Sequence, residues 1–179
     1  MPMKGQFAKP AGPQSEVSAI LCRLRLAAVA LLAVSVLAAC GPPDDPEEPE
    51  TLVNLRVTAG TGINPDVDGR PSPVVLRIFV LSTEDVFRTA GYFDLRDEAE
   101  DTLGDTLLAE ADMLLNPGSS REKHIIVPNE ARTMAVVADY QDIENAVWRG
   151  HISIRTGEEN DLRATLRGTE VVLGLSPVE

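Results

Sequence analysis

From Asn64 to Leu81 the chain reads Asn-Pro-Asp-Val-Asp-Gly-Arg-Pro-Ser-Pro-Val-Val-Leu-Arg-Ile-Phe-Val-Leu. Its two halves leave little choice of structure. Asn64-Pro65 and Asp68-Gly69 are turn pairs, and Pro71 and Pro73 forbid helix and stiffen the chain on their C-terminal side. In the extended run beyond the prolines, Val74, Leu76, Ile78 and Val80 point to one face, and Val75, Phe79 and Leu81 to the other. A strand apolar on both faces belongs inside a sheet that is covered on both sides. A proline-braced loop is therefore mounted directly on a central strand. Residues held in such a loop bind well, because part of their ordering entropy is lost before a partner arrives. The same loop could also do no more than connect two strands.

Around this stretch the apolar pattern has a period of two. Val53, Leu55, Val57 and Ala59 alternate with polar residues, and Leu107, Ala109, Ala111, Met113 and Leu115 alternate with Glu110 and Asp112 at the centre of their run. Strands are also expected over 124–127 and 134–140. Trp148, Gly150, Ile152 and Ile154 alternate with polar residues, which puts Trp148 on the apolar face, and Leu162, Ala164 and Leu166 form a last long strand. The apolar phase slips by one after Gly168, which predicts a bulge or a break there. One segment breaks the pattern. Residues 83–104, with Val86, Phe87, Ala90, Tyr92, Phe93 and Leu95, read as a short helical insert, expected to pack over one edge of the sheet. The reading is a mainly β protein: an antiparallel β-sandwich of seven to eight strands with a small helical insert between strands 2 and 3.

The start of the chain is of another kind. Residues 1–25 carry the basic groups Lys4, Lys9, Arg23 and Arg25, and Leu26 to Ala39 is apolar except for Ser35. That run is shorter than the ~20 residues of a membrane-spanning helix. A basic flank, a short apolar run and small residues at its end make residues 1–39 an export signal. The run closes as Leu37-Ala38-Ala39-Cys40, which resembles the lipobox of bacterial lipoproteins; Cys40 would then be acylated and become the first mature residue. An ordinary signal cleaved near Ala39 is the alternative. By the same resemblance, Gly41 after the cysteine directs the protein to the outer membrane. Residues 40–50 form an acidic, proline-rich tether, which at ~3.1–3.5 Å per residue gives the folded part, 51–179, a reach of about 30–35 Å. Cys22 leaves with the leader, so that folded part has no thiol for a disulfide and must rely on burial. The leader holds four basic residues and one acid, Glu16, so its removal takes the net charge from −12 to −15. So acidic a chain, with no Lys/Arg cluster, does not bind nucleic acid.

Asn64-Pro65-Asp66 and Gly69-Arg70-Pro71-Ser72-Pro73-Val74-Val75 with Arg77 resemble the signature of the type VI secretion outer-membrane lipoprotein family, TssJ (SciN/VasD-like). Further pieces occur in the family's order: Phe87 and Phe93, Leu103-Gly104, Pro117-Gly118, Val136-Val137-Ala138 before Tyr140, and Ala146 before Trp148-Arg149. With the lipobox, the resemblance spans most of residues 37–155. Phe79-Val80 stands where the family suggests Tyr-Gln, and Gln141 where it suggests a basic residue. The resemblance implies a transthyretin-like sandwich, lipid-anchored in the outer membrane and facing the periplasm. It also implies binding to the periplasmic domain of the inner-membrane protein TssM, and indirectly a link to a TssL-like protein, in the secretion membrane complex. The implied contact is the loop between strands 1 and 2, with Asn64, Pro65, Asp66, Asp68, Gly69 and Arg70 as candidates, and Asn64, Asp66, Asp68 and Arg70 as its exposed members. Asn64 and Asp68 could instead cap turns, and Arg70 could pair with Asp66 or Asp68.

Other functions find less support in the residues. The two histidines, His124 and His151, lie on predicted strands, and no Gly-x-Ser-x-Gly, His-Glu-x-x-His or phosphate loop occurs, so no enzyme is expected. The acidic runs 97–101 and 158–161 read as solvated faces. Asn64-x-Asp66-x-Asp68-Gly69 has the spacing that opens a calcium loop, although Val75 stands at the twelfth position where a bidentate Glu is required. A periplasmic transthyretin-like module that binds calcium or a small ligand through the 64–69 loop is thus the alternative. On the main reading, no cofactor beyond the lipid on Cys40 and no small-molecule substrate are expected.

Overall fold

The computed structural model describes residues 49–176. The leader, Cys40 and most of the tether lie outside the described residues. Eight strands form two four-stranded sheets. Sheet A has the order β4-β1-β7-β8 and sheet B the order β3-β2-β5-β6. The strands are β1 (Thr51–Ala59), β2 (Val74–Leu81), β3 (Leu107–Leu115), β4 (Ser120–Val127), β5 (Thr133–Ala138), β6 (Arg149–Ser153), β7 (Glu159–Arg167) and β8 (Glu170–Leu175). Between β2 and β3 come three single-turn helices, α1 (Asp85–Thr89), α2 (Tyr92–Asp97) and α3 (Ala99–Leu103), so the insert falls where its composition placed it.

Two apolar layers hold the structure. The first lies between the sheets. There the alternating residues of β1 (Val53, Leu55, Val57) meet Leu76 and Ile78 of β2, Met134 and Val136 of β5, and Leu162 and Ala164 of β7. The second lies on the outside of sheet B, where Phe79, Leu81, Ala135 and Val137 are sealed by Phe87, Leu95, Ala99 and Leu103 of the insert. This explains the double-sided strand. β2 has one face in each layer and lies between β3 and β5. The insert covers the sheet's face rather than its edge, because the apolar outer residues it must bury are those of the two central strands. Arg149 fixes it there: one guanidinium nitrogen donates to the carbonyls of Phe87 (3.1 Å) and Ala90 (2.9 Å) at the end of α1.

The structure departs from the strand pattern expected of the sequence at four places. β1 and β7 pair in parallel, although every other ladder is antiparallel. Nothing local encodes that pairing, which joins strands about a hundred residues apart. A bulge at Val80/Leu81 turns Leu107 to the outer layer and Leu108 to the inner one. The phase slip at Gly168 is neither bulge nor break but a two-residue hairpin, in which Arg167 pairs with Glu170 and Gly168 takes a φ of 55°. Glycine at the first central position is what such a turn requires. Trp148, expected on the apolar face of its strand, precedes β6 and is only partly buried, touching both apolar layers.

Candidate functional site

The loop from Thr61 to Pro73 leaves β1 and enters β2, and it is built as a small finger. Ile63, fully buried, roots it in the inner layer. Asn64 carries its base. This residue has a φ of 47°, in the left-handed region where Asn is among the few non-glycine residues tolerated. Its N–H donates to the Gly168 carbonyl (2.8 Å), its Nδ2 donates to the Pro73 carbonyl (2.7 Å), and its Oδ1 accepts from the N–H of Gln141 (2.8 Å). Asn64 thus ties together the finger, the β7–β8 turn and the segment after β5.

Above the base, Pro65 and Pro71 face each other as a bridged pair. The Asp66 N–H donates to the Arg70 carbonyl (2.9 Å), and the Asp66 carbonyl accepts from Gly69 (2.9 Å), whose φ of 78° closes the turn. Asp66 Oδ1 accepts from the N–H groups of both Asp68 and Arg70, each at 2.9 Å. The Arg70 guanidinium then reaches back, giving one hydrogen bond to Asp66 Oδ2 (3.0 Å) and one to Asp68 Oδ2. These donors, the Arg70 N–H first and the Asp68 N–H and Arg70 side chain after it, hold the Asp66 carboxyl below its usual range despite some desolvation.

The finger's charges are therefore spent internally. The guanidinium lies against both carboxylates that the calcium spacing would have offered, and the Asn64 amide is bonded to backbone. What the finger offers outward is Val67, which is completely exposed. An aliphatic side chain on a rigid turn, flanked by neutralised polar groups, suits insertion into an apolar pocket of another protein.

A family model described as "Type VI secretion lipoprotein, VasD, EvfM, TssJ" matches residues 51–169. The chain belongs to this family. Among solved structures it is similar to the T6SS lipoprotein TssJ1 from Pseudomonas aeruginosa, at 30% identity and a TM-score of 0.70, covering 73% of this chain and 100% of that one. It also shares the fold of Serratia marcescens Lip, described as a membrane-bound component of the type VI secretion system, at 22% identity and a TM-score of 0.65, over 73% of this chain and 99% of that one. A chain from the structure described as the T6SS protein TssM C-terminal domain (869–1107) from EAEC has the same fold, at 24% identity and a TM-score of 0.57, with coverage of 71% and 98%. No curated protein sequence matches. Membership in the TssJ family gives the chain a part in the type VI secretion envelope and associates it with a membrane.

Within this TssJ-family domain, the six candidate loop residues do come together in one finger, but with unequal roles. Asn64 is not exposed: it is 3% accessible and serves as the anchor, since its N–H and both side-chain amide atoms bond to neighbouring backbone. Pro65 and Gly69 shape the turn, and Asp66 organises it. Asp68 and Arg70 lie at the surface but pair with each other. Val67 was missed, although it had a signal. It is the one aliphatic residue between Ile63 and Val74, and aspartates on both sides leave it no route inward.

Proposed function

We propose that this TssJ-family chain is a non-enzymatic assembly lipoprotein. Cys40 anchors it by lipid in the outer membrane, its domain faces the periplasm, and its finger grips the periplasmic domain of a TssM-like inner-membrane protein. A TssL-like protein joins the assembly indirectly, and the result is a bridge across the secretion envelope. The observation that carries this reading is the finger itself. It is pinned to the scaffold by Asn64, closed on itself by Arg70, and tipped by the fully exposed Val67. Its conformation is fixed before binding, so little ordering entropy is lost when it docks.

The test is binding between the full-length protein in detergent and the periplasmic domain of a TssM-like protein from the same genome. Val67→Asp places a charge where an apolar pocket is proposed, and should weaken binding by about 30-fold or more, the size of a hot-spot loss, with Tm unchanged. Equal binding by wild type and variant would move the contact off the finger. No binding by wild type would leave the family membership without this partner.

A further inference from the structure

The two outer faces of the sandwich differ. That of sheet B is sealed by the insert, whereas that of sheet A holds an open basin of about 510 Å³, within the range of ligand sites. Its floor is set by the register. Asn54 of β1 lies beside His124 of β4 and Asp161 of β7, and in the next row of the same face Arg56 lies beside Glu122 and Arg163. A solvated sheet face is ordinarily polar, so polarity alone means nothing. What departs from the ordinary is how the charges are used.

Arg56 pairs with Glu122 at 2.7 Å. Glu159, Asp161 and Arg163 alternate along one face of β7, yet among the described residues none of the three takes part in an ion pair, and Arg163 Nε is buried with no hydrogen-bond partner. Asn54 accounts for the separation. Its Nδ2 donates to Glu159 Oε1 (2.6 Å) and to Asp161 Oδ1 (2.9 Å), drawing both carboxylates toward one end of the basin. His124 Nδ1 lies 2.7 Å from Asn54 Oδ1, which can only accept, so the imidazole donates there and fixes the amide's orientation. The result is a pair of carboxylates held on one amide and, one row along the same face, a guanidinium, with none of these three groups in an ion pair among the described residues.

We propose that this basin binds a short zwitterionic peptide of dipeptide length, with its ammonium on Glu159 and Asp161 and its terminal carboxylate on Arg163. The strand sets that length. Asp161 and Arg163 are two residues apart, about 6.6 Å, and an extended dipeptide spans about 7 Å. Leu175 at the rim, 62% exposed, offers apolar contact for a small side chain. The site is distinct from the finger and does not depend on the secretion partner.

Saturation-transfer NMR on the methyl groups of alanyl-alanine, with the full-length protein in detergent, tests this. Saturable transfer is expected, with a Kd on the order of 1 mM. N-acetyl-alanyl-alanine and alanyl-alanine amide should each bind about tenfold more weakly, because each removes one charge-assisted contact. Arg163→Gln should reproduce the loss seen with the amide, and Asp161→Asn the loss seen with the acetyl peptide, with Tm unchanged. The proposal is overturned by no saturable transfer, by equal binding of all three peptides, or by Arg163→Gln binding like wild type. If a variant were to unfold, the series of blocked peptides on the wild-type protein would still decide.

Discussion

Asn64 and Asp66 stand two residues apart and do different work, and the difference can be measured. Replacing Asn64 by Ala leaves the Pro73 carbonyl and the Gln141 N–H without partners at a site that is 3% accessible. We expect a loss of about 3 kcal/mol and a fall in Tm of ~10 °C. Asn64→Gly keeps the left-handed backbone without strain, so it should be milder than Ala by about 1 kcal/mol; equal melting of the two would mean that the amide, and not the conformation, is the whole effect. For Asp66 the reasoning concerns protons. Its folded carboxyl titrates below the usual range, chiefly because of the Arg70 N–H, so the loop favours the ionised form. That contribution is fully present above the unfolded pKa of about 3.9 and is lost as pH falls through the lower folded value. Binding through the finger should therefore be flat from about pH 8 to pH 5 with respect to this group. The Asp66 carboxyl resonance should have its midpoint below 3.9; a midpoint at or above that value would contradict the geometry. The turn chemistry of Pro65, Asp68 and Gly69 was legible in the sequence because it is local. The burial of Asn64 was not, since Gln141 and Gly168 become its neighbours only when the whole sandwich has closed.

The elements show the same division. β2 announced itself as a central strand because both faces must be covered, and the structure covers one with the opposing sheet and the other with the insert. Which part of the sheet the insert would seal was not legible. It depends on Phe79, Leu81, Ala135 and Val137 lying side by side, and that needs the β2–β5 ladder. Phe87 is the test of this layer. It is fully buried, with Phe79 at 6.1 Å and His151 at 6.2 Å between ring centroids. Phe87→Ala should cost about 3–5 kcal/mol. Because α1, α2 and α3 are single turns that cannot stand alone, their amides should lose protection from hydrogen exchange while those of β1 and β7 keep it. Uniform loss across both sheets would show instead that the insert and the sandwich fold as one unit.

At the scale of the molecule, no cysteine lies between Pro49 and Ser176. A domain without a disulfide owes its stability to its two apolar layers, and its melting temperature should be identical with and without a thiol reductant; a shift would reveal a covalent bond that the described residues do not contain. The fold class was legible from the period-two pattern. The strand order was not, because the parallel β1–β7 ladder joins the two ends of the domain. That ladder has a mechanical consequence. β1 begins at Thr51, beside the tether, ends at Ala59, where the finger loop starts, and has β4 on one side and β7 on the other. Tension applied between the tether and the finger runs along the axis of β1. The hydrogen bonds of both ladders lie across that axis, so they are loaded together in shear and do not open one after another like a zipper. Asn64 passes part of the same load to the β7–β8 turn and to the segment after β5, that is, to both sheets. Under the proposed function, this is also the direction in which a link between a lipid anchor and its partner would be pulled.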